Sequence, residues 1–295
     1  MSEERDNELR GRELSAFREL VLARGRELYR DLPWRRTRDP YAIWLSEVML
    51  QQTQVSRVDG RWQRWLERFP TIDALAAAQT ADVLDEWQGM GYNRRALALL
   101  RAAQELSEAG ASMPSEVKEL VALPGIGPAT AAGIRAFAFN LPSMYLETNV
   151  RTVLLHELYP DAVDVPDKEL IPVVEATCPQ DASDPTDDPR TWYYALLDYG
   201  AYIKKTVPNP SRRSRAHTRQ PRFEGSRRQK RAELVRELLA HRGRGGLSIY
   251  ELTEGLTTFE QRAGRDGVDE LLVLGLLEEL AREGFCHTED GLWLA

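Results

Sequence analysis

Leu123-Pro124-Gly125-Ile126-Gly127-Pro128, followed at once by Ala129-Thr130-Ala131, joins two stretches of helical spacing, Ser115–Ala122 and Ala129–Phe139. Glycines at such a corner let a backbone approach a ligand closely. The free amides at the start of the second helix point outward, a geometry that holds one phosphate without reading a base. A Gly-x-Gly between helices also serves plain tight packing, so both readings stand on these residues alone.

Outward from this corner, apolar spacing predicts helices almost everywhere before residue 205. They cover residues 8–30, Tyr41–Val58, Thr71–Ala78, Asp82–Gln88, Arg94–Ala109, Val150–Leu158, Leu170–Ala176 and Trp192–Lys204. Asp39 is a natural cap and Pro40 suits a first turn. No alternating strand pattern occurs before residue 245, so the fold class is all-α with short Gly/Pro connections. Residues 229–295 differ. Three helices, Lys230–His241, Ile249–Leu256 and Val268–Arg282, precede strand, turn and strand at 284–288, Glu289-Asp290-Gly291 and Leu292–Leu294, a winged-helix-like order.

The chain has 295 residues, a net charge of −7 and two cysteines, Cys178 and Cys286. Its length suits one large domain and a small second one. Two thiols exclude a disulfide framework and any four-thiolate metal site within one chain. The densely charged N-terminus is no secretory signal, and no apolar run approaches the roughly 18 residues that cross a bilayer. The expectation is a cytoplasmic protein, nucleoid-associated if bacterial, with reduced thiols and no membrane partner.

Charge is segregated. From Lys204 to Arg236, twelve Lys or Arg face only Glu224 and Glu233, a local +10 that leaves −17 for the rest. Such density fits a polyanion partner, because each neutralised phosphate releases counterions; a solvated linker is the alternative. Pro208, Pro210 and Pro221 mark a connector. Gly246–Ala295, by contrast, carries eleven Asp or Glu against three Arg. That is the wrong sign for a major-groove reader, which leaves packing, or a protein partner that the sequence does not identify.

The hairpin, in its Leu-Pro and Ala-Thr-Ala setting, resembles the helix-hairpin-helix of DNA repair proteins. Three further strings sharpen the resemblance: Leu32-Pro33-Trp34, Trp44-Leu-Ser-Glu-Val-Met-Leu-Gln-Gln-Thr-Gln54, and Gly89-Met-Gly-Tyr92. Together they look like the MutY-type adenine DNA glycosylases of the endonuclease III superfamily, over roughly residues 8–205. The resemblance implies two helical subdomains flanking a cleft that receives a flipped-out base. They would be a six-helix part at about 38–142, and a second part from 1–37 with 143–205. A basic linker at 206–228 and an acidic winged-helix-like domain at 229–295 would follow.

The resemblance also implies roles. Glu47 matches the acid that protonates the leaving adenine, and a carboxyl in a semi-apolar pocket has the raised pKa this task needs. On its helix alone, Glu47 reads first as an exposed or salt-bridged residue. Glu147, in Leu146-Glu147-Thr148-Asn149-Val150, stands where the family has an aspartate facing an oxocarbenium-like sugar. Paired carboxylates are the general requirement of glycoside cleavage, while a first-turn acid or cap is the other reading. The DNA-binding residues implied are Gln51, Gln52, Tyr92, Leu123, Gly125, Gly127, Ala129 and Asn149, with Arg212 and Arg213 added from the basic tract. Gln52 would meet the orphaned base. Tyr92 would wedge into the stack, or else cap the bundle.

Three departures follow. Ala129 occupies the place of the superfamily's Schiff-base lysine, which implies base release without strand cleavage. The four iron–sulfur ligand places hold Lys204, Ser211, Ser214 and Gln220, so no 4Fe-4S cluster and no other metal is expected. The acidic C-terminal segment does not resemble the family's 8-oxoguanine-recognising domain. The expected function is a monomeric, monofunctional DNA glycosylase of base excision repair. It would act on double-stranded DNA with a mispaired or damaged base, adenine in a mispair first. The same fold acting on uracil or thymine mismatches, or another damaged base, is the second expectation; a non-catalytic lesion-binding protein is the third.

Overall fold

The computed structural model describes residues 2–218 and 221–295, with side chains from residue 10 onward. Arg219 of the basic tract and Gln220 of the four ligand places lie outside the described residues. In chain order the helices are α1 (Ser2–Glu27), α2 (Pro40–Leu50), α3 (Val55–Val58), α4 (Arg61–Arg68), α5 (Ile72–Ala76), α6 (Thr80–Glu86), α7 (Arg94–Glu108), α8 (Val117–Ala122) and α9 (Pro128–Phe137). There follow α10 (Thr148–Glu157), α11 (Asp167–Thr177), α12 (Pro189–Thr206), α13 (Arg227–Ala240), α14 (Ile249–Arg262) and α15 (Glu270–Glu283), then strands β1 (His287–Glu289) and β2 (Leu292–Leu294). The all-α class with a terminal hairpin is as the sequence reads. No described helix is long and apolar enough to cross a membrane.

One prediction needs correcting. The apolar spacing from Tyr41 to Val58 reads as one helix, yet α2 stops at Leu50 and the chain resumes as α3 at Val55. Asp39 does cap α2, accepting from the Tyr41 amide at 3.0 Å. The break comes where Gln52 takes a left-handed conformation, φ 53°. A right-handed helix cannot pass through it, and a side chain holds that conformation only when its surroundings demand it. No Gly or Pro marks the spot, so the sequence carries no signal for it.

Two compact units form. The first comprises Met1–Gln51 with Met113–Arg219, the second Gln52–Ser112 with Gln220–Ala295. This grouping differs from the division read off the sequence. Residues 38–51 and 113–142 pack with the helices expected in another part, because α9 lies against both α2 and α12.

In the first unit α12 is the hub. Trp192 and Tyr193 are fully buried, and α1 and α10 pack along the helix. Gly25 makes the α1 contact possible, since a Cβ there would lie 2.3 Å from that of Ala195. Asp198, buried on α12, receives both arms of the buried Arg35 guanidinium at 2.6 and 2.8 Å. A pair so satisfied is a fixture, since removing either partner strands a buried charge.

The segment after α12 departs from a bare connector. Ser211 and Ser214 are buried, and Ser214 bridges to Val165. Asn209 Oδ1 accepts from the Ser211 amide and hydroxyl at 3.0 and 2.8 Å. Arg213 donates to the carbonyls of Leu155 (2.6 Å), Tyr159 (2.5 Å), Pro160 (2.6 Å) and Ala162 (3.1 Å). Those carbonyls belong to the end of α10 and the turn beyond it, which a cation suits.

In the second unit Trp65 and Trp87 meet edge to face at 5.5 Å, and both are fully buried. Residues 221–295 belong to this unit, with α13 packed on α6. Ion pairs bind them in. Glu283 takes Arg94 at 2.6 Å and Arg231 at 2.7 Å, and Asp82 takes Arg242 at 2.6 Å. The acidity of this segment is thus partly internal neutralisation. Asp290 and Gly291, at φ 50° and 78°, turn β1 into β2, as an Asp-Gly hairpin should.

Candidate active site

The first unit brings Glu47 and Glu147 into one electrostatic neighbourhood. Glu47 lies on the third turn of α2, half-buried among residues of a helix otherwise nearly all buried. Its Oε2 accepts from the Tyr145 hydroxyl at 3.1 Å. Across from it is Gly133, inside α9. A Cβ on Gly133 would stand 2.1 Å from Glu47 Oε2 and 3.1 Å from the Tyr145 ring. Glycine inside a helix costs about 1 kcal/mol against alanine, so the missing methyl is the space in which the carboxyl lies.

Tyr145 is itself fixed. It is buried, and Phe137 and Tyr193 each meet its ring edge-on at 5.4 Å. Its backbone amide donates to the Tyr193 hydroxyl at 3.3 Å. Burial pushes the Glu47 pKa up to about 8; the Tyr145 hydrogen bond and Arg35 oppose the rise, and Glu147 adds to it. Burial, with the two glutamates beside it, holds the Tyr145 phenol well above its ordinary range, so it remains a donor.

Glu147 caps α10. Its Oε1 accepts from the amides of Asn149 at 2.6 Å and Val150 at 3.2 Å. The cap alternative is therefore real, and it fixes the carboxylate. Burial raises the Glu147 pKa, while Lys204, the two amides and the Asn149 side chain favour the charged form. Lys204, half-buried on α12, has its own pKa lowered by burial with Glu147 opposing. Gly200 lets α12 come this close, because a Cβ there would lie 2.4 Å from the Asn149 carbonyl oxygen. Asn149 Oδ1 is shielded and lacks a hydrogen-bond partner among the described residues.

The other expected residues divide between the units. At the hairpin, Leu123 ends α8, Gly125 has φ 77°, and Gly127 begins α9 with open space at its Cβ position. Ala129 lies in the first turn of α9, and Gln51 donates to the Thr130 hydroxyl at 2.9 Å. Gln52 and Tyr92 belong to the second unit, both in left-handed conformations. Of the two arginines, Arg212 is exposed. Arg213 is engaged within the chain, its guanidinium donating to four carbonyls at the end of α10 and the turn beyond it. Tyr145, Gly133 and the facing role of Lys204 were not singled out from sequence. A glycine in mid-helix was the one available signal.

The family profile for HhH-GPD superfamily base excision DNA repair proteins matches residues 45–176. An adenine DNA glycosylase of Mycolicibacterium smegmatis is 35% identical over 285 residues, covering 89% of this chain and 92% of that protein. One from Homo sapiens is 39% identical over 152 residues, 48% of this chain but only 28% of the human protein. A solved thermostable thymine-DNA glycosylase superposes with TM-score 0.57 at 23% identity over 67% of this chain and 89% of that one, which speaks for the fold alone. The chain belongs to the adenine DNA glycosylases of the HhH-GPD superfamily, hydrolases of base excision DNA repair.

A 4Fe-4S cluster, which the resemblance would carry, does not fit the donors present. Of the four ligand places, Lys204 faces Glu147 and Ser211 and Ser214 are hydroxyls within a hydrogen-bonded turn. Both cysteines are buried elsewhere, and no group of three metal-ligating side chains occurs among the described residues.

Proposed function

We propose that this protein hydrolyses the N-glycosidic bond of adenine in a mispair within duplex DNA, acting as a monomer and without a cluster. The supporting observation is Glu47, lodged against Gly133 and held by Tyr145, with a carboxyl whose pKa burial pushes up to about 8. Adenine leaves poorly as an anion. Glu47 gives its proton to a ring nitrogen as the bond from the sugar carbon breaks, and the bonding pair departs with the base. The resulting Glu47 carboxylate is received by the Tyr145 hydroxyl. Glu147 faces the positive charge that develops on the sugar, its position set by the amides of α10. Water adds to the sugar carbon, and its proton returns to Glu47.

Lys204 holds Glu147 toward the charged form that this role requires. Glu147 is one methylene longer than the family's aspartate and still caps α10 through Oε1. The hairpin amides would take one phosphate, with Gln51 and Asn149 in the same unit. Tyr92 would enter the stack, and Gln52 would meet the orphaned base. The test is a panel of labelled duplexes bearing each mismatch and common lesion, incubated with protein and then treated with hot alkali. Cleavage at adenine opposite guanine or 8-oxoguanine is expected. Release of uracil or thymine with adenine left intact would overturn the substrate assignment.

A further inference from the structure

The second unit carries an exposed cluster around Tyr92 whose other members have no part in the reaction described above. Tyr92 stands at the tip of the Gly89–Gly91 turn, 40% exposed. The Arg228 guanidinium, from the first turn of α13, donates to the Tyr92 hydroxyl at 3.2 Å and lies 5.7 Å from its ring centre. The same guanidinium lies 5.9 Å from the ring of Phe223, which is 50% exposed. Arg95 approaches the Tyr92 ring at 5.5 Å and is held by the carbonyls of Met90 and Gly91.

Arg228 differs from its neighbours. Arg227 and Arg231 pair with Glu279, Lys230 with Glu260 and Arg222 with Glu224. Among the described residues no carboxylate pairs with Arg228; its partners are Tyr92, Phe223 and the Pro221 carbonyl. A large exposed ring costs solubility and contributes nothing to a core that is already filled. Two such rings bridged by an unneutralised guanidinium match one ligand chemistry well: an unstacked nucleobase beside its phosphate. Every base has a face for the rings, and the backbone supplies the anion.

We propose that Phe223 and Arg228 extend Tyr92 into one base-stacking surface, so that the stretch leading into α13 grips DNA at the disrupted base pair. This rests on the reading of Tyr92 as the residue that enters the stack. It gives residues 221–228 a DNA-binding role beyond that of a connector, and explains why an acidic segment is packed in the same unit as Tyr92. Glu279 and Glu283 of that segment are matched to arginines of the unit, and Arg228 is left for the nucleic acid.

The test compares affinities for a mispaired and a fully paired duplex of the same sequence, in a Glu47→Gln background that leaves the base in place. Each substitution removes a stacking face, so Tyr92→Ala and Phe223→Ala should each lower the preference for the mispaired duplex about tenfold. Paired-duplex affinity should stay within about twofold. Phe223→Tyr should keep the preference. Arg228→Lys should keep the salt dependence and lose part of the preference, and Arg228→Gln should lose both. Should Tyr92→Ala lose the preference while Phe223→Ala and Arg228→Gln keep it, the surface ends at Tyr92 and the inference falls alone. Full preference in Tyr92→Ala would bring down the reading of Tyr92, and the inference with it.

Discussion

Replacing Glu47 by Gln should abolish excision and also stabilise the protein, by an amount that grows with pH. The carboxyl is pushed up to about 8 in the folded protein, against an ordinary 4.5. Below pH 4.5 folded and unfolded chains both hold the proton, Gln imitates the neutral acid, and the two proteins should melt alike. Between 4.5 and 8 the unfolded chain has released a proton that the folded chain keeps. Wild type therefore loses up to about 1.4 kcal/mol per pH unit. Above about 8 the folded carboxyl ionises too, and the loss levels off. The ceiling is roughly 5 kcal/mol, and because Glu47 is half-buried rather than sealed, about 2 kcal/mol is the expectation at pH 8. For a chain of this length that raises Tm by about 3–6 °C. The assay is thermal melting of both proteins at pH 4.5, 6, 7 and 8, alongside single-turnover excision, which should fall at least ~10²-fold. A Tm difference that stays flat with pH, or one that favours wild type increasingly as pH rises, refutes the protonated Glu47.

Tyr145→Phe removes the hydroxyl that steadies the Glu47 carboxylate; the alkaline limb of the excision rate should move to higher pH, and a limb moving downward would contradict the hydrogen bond's role. Gly133→Ala should leave a folded helical protein that excises at least ~10²-fold more slowly, because the new methyl occupies the Glu47 carboxyl's space. Arg213→Ala should cost about 2–4 kcal/mol in urea unfolding, since several charge-assisted bonds are lost, yet leave the salt slope of DNA binding unchanged. Arg212→Gln should flatten that slope by about one with little effect on stability. Protein produced with excess iron and sulfide should show no visible cluster absorption.

The hairpin, the α2 cap and the terminal Asp-Gly turn were legible because each is local. Leu123–Pro128, Asp39-Pro40 and Asp290-Gly291 fix their own backbone through residues a few positions apart. The break after Leu50 was not legible, since Gln52 takes a left-handed conformation that no Gly or Pro announces. The carboxylates were visible as members of a motif, but their environment was not. Tyr145 and Gly133 reach Glu47 from 98 and 86 positions away, and nothing in linear spacing connects them. Arg213 shows the reverse failure. Its place in a dense basic run suggested a phosphate contact, and only the fold shows four carbonyls already around it.

That arginine also bears on how the protein comes into being. A turn closed by its own guanidinium and by Asn209, Ser211 and Ser214 is held by groups the chain itself supplies. On the cluster-free reading proposed above, this turn waits on no inorganic group, and active protein should accumulate in iron-starved cells as it does in replete ones.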